Sequence, residues 1–377
     1  MSQLRAIELT RFKCFSRQTI ALGAATVFTG LNGMGKSSVV QSLLLLRQSA
    51  RANVLRPASA GTGPTGLLLN GDLIQLGTAR EVLNEAAELD ELGLLLRGVD
   101  GSAYSWRFEA TGDADLLPIV EGPSEVPTLA VFGDSFAYLG AERLGPRVVH
   151  ALSAVRVERA DMGANGGFAV AFLDAAGEQP VAASLRHGGA VSGSLRSQVA
   201  AWMGEVSPGV SITTDPLPSV SVARLAFGFA VGKAKTRDFR PTSVGFGLSY
   251  TLPVVVSLLA TQPGGIVLLE NPEAHLHPRG QMAMGELIAR AASAGVQVLV
   301  ETHSDHVLNG LRLAVKDKLV PARDVALHYF RREEHVDDGV QRIRHVVDSP
   351  VLDADGRIDI WPDGFFDQYD IALGRLL

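Results

Sequence analysis

The stretch "GLNGMGKS", Gly30 to Ser37, decides the fold. It matches the pattern G-x-x-x-x-G-K-[ST] at every fixed position. A short apolar strand, "AATVFTG", leads into it, and an amphipathic helix containing "VVQSLLLL" follows it. A glycine-rich loop between a strand and a helix is the setting in which backbone N–H groups hold phosphates. The sequence therefore predicts an α/β fold of the P-loop NTPase type.

The loop carries most of the predicted nucleotide contacts. Lys36 is placed to bring a positive charge to the β- and γ-phosphates, and the Ser37 hydroxyl is placed to bind Mg²⁺. The start of the following helix adds the positive end of its dipole. We therefore predict ATP and Mg²⁺ as cofactors. The predicted nucleotide-binding residues of this segment are Asn32, Gly33, Gly35, Lys36, Ser37 and Ser38.

Composition and charge narrow the class of protein. With 46% hydrophobic and 20% charged residues among 377, the chain has the composition of a globular protein with a large core. No apolar run approaches the ~20 residues that a membrane-spanning helix needs, and the N-terminus lacks the pattern of a signal peptide. A single cysteine, Cys14, cannot form an internal disulfide, which favours the cytoplasm.

The net charge of −6 argues against broad electrostatic binding of nucleic acid. One segment, "GKAKTRDFR" (Gly232–Arg240), carries several basic residues close together. It is interpreted either as a solvated loop or as a local basic face, so DNA stays an alternative partner.

The pattern of apolar residues predicts a nucleotide core that is interrupted by a long insertion. An N-terminal antiparallel hairpin sheet is expected to lie against a mixed central sheet. The chain after residue 240 shows a β-α-β-α-β order, which is typical of a parallel sheet. We expect an N-terminal part of the core, an insertion, a C-terminal part of the core and a tail packed on it, over residues 1–71, 72–240, 241–332 and 333–377.

Several elements of the insertion are predicted individually. Short strands alternating with loops are predicted for the segments "LGLLLRGV", "AYSWRFEA", "PTLAVF" (127–132), "FAYLGAERLGP" and "GGFAVAFL" (166–173). A helix is predicted over "SLRSQVAAWMGEV", with Ser194 at its start.

A second polar segment follows a buried strand late in the chain. The strand "IVLLE" ends at Glu270 and runs into "NPEAHLHP", about 230 residues after the phosphate loop. One helix and one strand later comes "ETHSD", which contains His303. A histidine just past the neighbouring strand is placed to reach a γ-phosphate or an attacking water. The long spacing between the two segments does not fit small P-loop kinases or GTPases.

These motifs in this order resemble the ABC-type ATPase heads of SMC, recombination and overcoming-lysogenisation-defect proteins. The resemblance is carried by "FKCF", the phosphate loop, "NPEAHLHP" and "ETHSDHVLNGLR". It is closer still to bacterial AAA-family ATPases with a C-terminal domain of unknown function, through "YLGAERLGP", "VGFGLSYTLP" and "IDIWPDGFFDQ". The resemblance spans nearly the whole chain and is weakest over residues 80–135 and 150–225. It implies ATP hydrolysis by two heads that close over two ATP molecules.

The resemblance assigns roles to the acidic strand end. Glu270 stands at the Mg²⁺-side carboxylate, and Asn271 stands where the family usually has its catalytic glutamate. Glu273 matches the second acid of the family's D-E-P-E, and His303 matches the switch histidine. Two further segments are implied as well. "SVGFGLS" brings Ser243, Gly245 and Gly247 to the position of the signature that closes over a partner's ATP, and Gln75 is the candidate Q-loop glutamine on the metal.

Asn271 leaves the residue that activates water open, because an amide cannot accept a proton as a carboxylate does. Glu273 is the preferred base or water organiser. One alternative is that Asn271 and His303 position the water with slow turnover, as a glutamine does in some GTPases. The others are an ATP-binding switch with almost no hydrolysis and a role for Glu273 in capping the helix after Pro278. Arg143 in "AERLGP" is interpreted either as a contact to nucleotide or partner or as a salt-bridged core arginine.

The resemblance implies a homodimer or higher homo-oligomer that regulates a separate effector protein, and it points to anti-phage defence or DNA maintenance as the setting. One alternative is an ATP-dependent clamp or scaffold with little hydrolysis. Another is an ATP-regulated nuclease component, although "DADG" (Asp353–Gly356) lacks the strand–helix framework of a Toprim domain.

Overall fold

The computed structural model describes residues 1–56, 64–232, 234–337 and 340–376. They form two compact units that are described separately. Unit 1 consists of Met1–Gly133, Ala326–Val351 and Ile360–Leu377. Unit 2 consists of Asp134–Val325 and Leu352–Asp359. The four segments expected from the sequence stay a prediction about how the chain divides by role.

Unit 1 contains an antiparallel sheet with the strand order β2-β1-β5-β6-β7-β4. A second group, in the order β16-β15-β3, carries the phosphate loop at the end of β3, and β15 and β16 are antiparallel. The strands are β1 (Leu4–Phe12), β2 (Phe15–Ala21), β3 (Ala25–Gly30), β4 (Gly66–Leu68), β5 (Glu91–Gly98), β6 (Ala103–Glu109), β7 (Leu116–Glu121), β15 (Val325–Asp337) and β16 (Val340–Asp348). The helices are α1 (Lys36–Arg51), α2 (Ala79–Val82) and α9 (Gln368–Leu376).

Unit 2 contains three parallel strands in the order β14-β13-β8 and a small antiparallel sheet in the order β10-β11-β12, in which β9 pairs with β11. The strands are β8 (Phe136–Leu139), β9 (Val149–Ala151), β10 (Val210–Leu217), β11 (Val222–Val231), β12 (Ala234–Lys235), β13 (Ile266–Glu270) and β14 (Gln297–Glu301). The helices are α3 (Ala154–Glu158), α4 (Ala169–Ala176), α5 (Leu195–Val206), α6 (Phe246–Ala260), α7 (Pro278–Ser293) and α8 (Asp305–Lys316).

The structure confirms the α/β class and the elements that frame the motifs. The N-terminal hairpin is present, with Phe12 opposite Phe15 across its tip. The phosphate-loop strand and its helix follow as β3 and α1. Ser194 caps α5, because its side chain accepts a hydrogen bond from the backbone N–H of Ser197. Parallel and antiparallel strand pairs both occur in the described chain, as a mixed fold requires.

Two of the predicted strands were wrong. Residues 127–132 make one isolated bridge, from Leu129 to Ser2, and then a 3-10 turn. Residues 166–173 contribute to helix α4, because a short apolar run that is buried on all sides does not distinguish a strand from a helix. The last strand of the β-α-β-α-β run is present as β15, and its neighbours within unit 1 are β16 and β3.

None of the helices in the described part of the chain is long and apolar enough to cross a bilayer. The longest, α1 and α7, have 16 residues each.

Candidate functional site

The phosphate loop of unit 1 depends on glycine at two places for different reasons. Gly30 has φ +134°, and a Cβ there would lie 2.1 Å from the carbonyl oxygen of Phe330 on β15. Gly33 has φ +76°, and a Cβ there would meet no described atom within 4 Å. The first glycine lets two strands pack closely, and the second lies at an open bend of the loop where a ligand has room.

Lys36 lies folded over its own loop. Its side chain is only 3% exposed, and its Nζ donates hydrogen bonds to the carbonyls of Gly30 at 2.9 Å and Leu31 at 2.8 Å. Helix α1 begins at Lys36 and has no acidic residue in its first turn. A buried cation at a helix N-terminus that has no acid in its first turn is a favourable place for an anion. The residues present therefore fit the phosphates of a nucleotide.

Residues of the N-terminal hairpin and of strand β16 contact the phosphate loop. A Cβ on Gly35 would lie 2.6 Å from the ring of Phe15 and 2.7 Å from the sulfur of Cys14, so both side chains touch the loop backbone. Burial raises the pKa of the Cys14 thiol. The Nδ1 of His345 lies 3.3 Å from the carbonyl oxygen of Met34. The "FKCF" segment thus packs against the loop backbone that would bind the phosphates.

In unit 2, Arg143 holds the end of strand β13. It is 3% exposed, and its guanidinium donates to the carbonyls of Gly140 at 3.0 Å, Glu270 at 2.7 Å and Asn271 at 2.6 Å. Burial lowers the pKa of Arg143, while the nearby carboxylates of Glu273 and Glu270 act in the opposite direction. The structure buries Arg143 but pairs its guanidinium with backbone carbonyls, so the salt bridge expected for a core arginine is not formed among the described residues, and a contact to nucleotide or partner stays a prediction.

Both carboxylate oxygens of Glu270 already have protein donors. The hydroxyl of Tyr138 donates to Oε1 at 3.0 Å, and the backbone N–H of Ala141 lies 3.2 Å from Oε2. Burial, and then the charge of Glu270, raises the pKa of Tyr138, which keeps its hydroxyl protonated. A carboxylate has about four lone-pair sites, so Glu270 keeps the capacity to accept a metal-bound water. Sequence reasoning missed Tyr138 and Ala141, although both lie in the "YLGAERLGP" segment that supported the resemblance.

Glu273 is anchored by one oxygen only. Its Oε1 accepts a hydrogen bond from the backbone N–H of His303 at 2.8 Å. Its Oε2 is buried and has no hydrogen-bond partner among the described residues. The capping alternative for Glu273 was wrong, because the N-cap of α7 is His277, whose side chain accepts from the N–H of Arg279. The carboxylate therefore offers one fixed and one uncommitted oxygen.

Asn271 presents a second uncommitted acceptor. Its backbone has φ +46°, and its N–H donates to the carbonyl of Glu301 at 2.8 Å. Its side-chain Oδ1 is buried and has no partner in the described part of the chain. Buried polar atoms are normally hydrogen-bonded, so two unpaired acceptors on neighbouring residues suggest a missing ligand. Oxygen ligands of this kind suit Mg²⁺ or a water molecule.

The signature-like segment lies beside the turn that follows Glu273. Ser243 ends a 3-10 turn, and Gly245 is the N-cap of α6. A Cβ on Gly247 would lie 2.7 Å from the carbonyl oxygen of His275. The ring of His275 in turn contacts Tyr250 of α6, with centroids 4.7 Å apart. The segment is thus joined to the acidic strand end within unit 2.

Two further predicted features are Gln75 and the basic loop "GKAKTRDFR". Gln75 is exposed in a turn of unit 1 that bridges Asn70 to Gln75, and its role on the metal stays a prediction. In the basic loop, Lys235 pairs with Asp238 at 2.8 Å, and Lys233 lies outside the described residues. The acid therefore neutralises part of the proposed basic face.

The C-terminal "WPDGFFDQ" segment is buried in part. Phe365 is 1% exposed and packs edge-on against Tyr329 of β15, with centroids 5.5 Å apart. Trp361 is 48% exposed. The segment therefore packs on the strands of unit 1 through Phe365 and leaves Trp361 half in solvent.

Two family models match parts of the chain. Residues 209–309 match the model described as "AAA domain, putative AbiEii toxin, Type IV TA system". Residues 320–376 match a model described as a protein of unknown function, DUF3696. The first match contains the signature-like segment, the acidic strand end and His303. Together with the phosphate loop, it supports the resemblance to ABC-type ATPase heads and identifies an ATPase-type domain.

Among curated proteins, none matches the chain significantly. Three similar solved structures are heads of SMC proteins. An SMC head bound to the C-terminal winged-helix domain of ScpA shares 14% identity with a TM-score of 0.46, covering 91% of this chain and 97% of that one. The SMC head domain from Thermotoga maritima shares 14% identity with a TM-score of 0.43, covering 91% and 99%. An SMC head with an extended coiled coil, bound to the C-terminal domain of ScpA from Pyrococcus furiosus, shares 13% identity with a TM-score of 0.44, covering 92% and 96%.

Proposed function

We propose that this protein binds and hydrolyses ATP, with Glu273 as the base that activates water. The observation that carries the proposal is the carboxylate of Glu273, which has one oxygen fixed at 2.8 Å on the N–H of His303 and one buried oxygen with no described partner. A general base must be held in place and must keep a free lone pair. Glu273 meets both requirements.

The phosphate loop supports the binding half of the proposal. Lys36 and the N–H groups at the start of α1 gather positive charge where no acid in the first turn opposes it. Ser37 supplies the hydroxyl that this type of loop gives to Mg²⁺. Mg²⁺ would neutralise charge on the phosphates. Glu270 would hold one of the metal's waters through the lone pairs that Tyr138 and Ala141 leave free.

Asn271 is assigned to orient the attacking water through its unpaired Oδ1. An amide oxygen accepts a hydrogen bond from water but does not take its proton, so Asn271 positions and Glu273 deprotonates. Positioning and electrostatics dominate phosphoryl transfer, and Asn271 supplies an amide where the resemblance expects the catalytic carboxylate. We therefore expect slow hydrolysis by a cytoplasmic enzyme.

The wider role follows the resemblance. We propose a homodimer in which Ser243, Gly245 and Gly247 close over the partner's ATP, and in which closure regulates a separate effector in anti-phage defence or DNA maintenance. The contact of Gly247 with the carbonyl of His275 supports a link between this segment and the acidic strand end. Light scattering with and without a nonhydrolysable ATP analogue tests the dimer, and an unchanged mass would contradict it.

Lys36→Ala tests the proposed function directly. We expect it to abolish ATP binding, measured by titration calorimetry, and with it phosphate release. Lys316→Ala is the matched control, because Lys316 is an exposed residue in the last turn of α8. ATP should raise the unfolding temperature of the wild type and of this control by mass action but should leave Lys36→Ala unchanged. Normal ATP binding by folded Lys36→Ala would refute the proposed function.

A further inference from the structure

Arg143 makes an unusual set of contacts for a buried cation. Its guanidinium bonds three neutral backbone carbonyls, and no carboxylate lies within ion-pair distance of it among the described residues. Burying a charge is costly unless it is paired. An arginine that is buried without an acidic partner has a role beyond filling space. Its three hydrogen bonds show that it acts on the backbone of residues 140, 270 and 271.

Two of these carbonyls belong to consecutive residues, Glu270 and Asn271. In an extended strand, consecutive carbonyls point in opposite directions. Both can face one guanidinium only because β13 ends at Glu270 and Asn271 adopts φ +46°. The planar fork of Arg143 matches that pair of carbonyls and holds the chain in its left-handed bend.

The bend decides where the two uncommitted acceptors lie. The carbonyl of Asn271 accepts from the N–H of Ala274 as well as from Arg143, which closes the turn that carries Glu273. The guanidinium carbon also lies over the ring of Tyr250 on α6, 5.4 Å from its centroid. Arg143 therefore lies between the turn of Glu273 and the helix that begins with the signature-like segment.

We propose that Arg143 is a positioning residue for hydrolysis, which acts by fixing the peptide turn that aims Asn271 and Glu273 at the attacking water. This inference rests on the proposed function of the same site. Arg143 does not need to touch ATP for this role. Losing it should lower turnover and leave nucleotide affinity unchanged, because affinity is assigned to the phosphate loop.

The test compares Arg143→Met and Arg143→Lys with Arg312→Met. Arg312 is a half-buried control, because its Nε also donates to a backbone carbonyl, that of Gly356, at 2.8 Å, and burial also lowers its pKa. We expect Arg143→Met to lower kcat by roughly 100-fold, the effect of misplacing a reacting group by about 1 Å, at an unchanged Kd for ATP. Arg143→Lys should be similarly impaired, because an ammonium cannot span both carbonyls.

Two further measurements separate positioning from general stability. Low concentrations of guanidinium should restore part of the turnover of Arg143→Ala. In a Glu273→Gln background, Arg143→Met should lower kcat no further, since both changes remove the same step. Additive losses in this double variant, or a loss no larger than that of Arg312→Met, would overturn the inference. A wild type that binds ATP but releases no phosphate overturns the proposed hydrolysis and this inference together. An active wild type with active Arg143→Met overturns this inference alone.

Discussion

Glu273→Gln should separate turnover from stability more clearly than any other single change. Glutamine keeps an acceptor for the N–H of His303, which lies 2.8 Å from Oε1 in the wild type. It replaces the buried, unpartnered Oε2 with a group that cannot take a proton. A general base contributes about 10²–10⁴ in rate, which corresponds to roughly 3–5 kcal/mol of activation free energy.

The cost in stability should be much smaller. A hydrogen bond to a charged acceptor is worth about 1.5–3 kcal/mol and one to a neutral acceptor about 0.5–1.5 kcal/mol, so the change costs on the order of 1 kcal/mol of unfolding free energy. Glu273→Ala, in contrast, removes the acceptor and leaves the N–H of His303 without its partner. It should therefore cost more stability than Glu273→Gln while stopping turnover to the same extent.

The assay is phosphate release at saturating ATP, with urea unfolding of the same samples. Glu286→Gln is the matched control, because Glu286 is a partly exposed acid on α7 that pairs with Arg290. It should leave kcat unchanged. Full turnover by Glu273→Gln would refute the assignment of the base. If Asn271→Asp then raised turnover, the water would be activated at residue 271 instead.

Three further predictions concern the scaffold. Gly30→Ala should destabilise the protein by roughly 2–5 kcal/mol, because residue 30 has a positive φ and a Cβ there would overlap the carbonyl of Phe330. Gly33→Ala should cost only about 1–2 kcal/mol of unfolding free energy, because only the positive φ opposes it. Equal urea midpoints for the two variants would contradict this prediction. Burial lowers the pKa of His328 below its ordinary 6.5, so its contribution to stability is complete above that pH and is lost as the pH falls below it. The slope should reach about 1.4 kcal/mol per pH unit, and His328→Gln should flatten it in urea titrations over that range. Tyr138→Phe should cost about 1.5–3 kcal/mol because it removes the donor 3.0 Å from Glu270; an unchanged unfolding free energy would show that this bond is not formed in solution.

The structure confirms best the elements that were encoded locally. Strand β13 covers Ile266–Glu270, the span expected from its apolar run. The phosphate loop lies between β3 and α1 as its motif requires. The strand predicted over residues 166–173 was wrong, because their apolar run has no periodicity that separates a strand from a helix. The helix there depends on the surrounding tertiary structure.

The sequence by itself determined the phosphate loop, because glycines and a lysine at fixed spacing set both the backbone and the charge of one short segment. It also identified Glu270, Asn271, Glu273 and His303 as candidate site residues. Only the tertiary structure decided which acceptor atoms of these residues already have hydrogen-bond donors. The contacts that commit Glu270 and fix the turn come from Tyr138 and the loop after it, 127–132 residues away along the chain. They are delivered by the parallel pairing of β8 with β13, and no local pattern encodes which strand a distant segment will join.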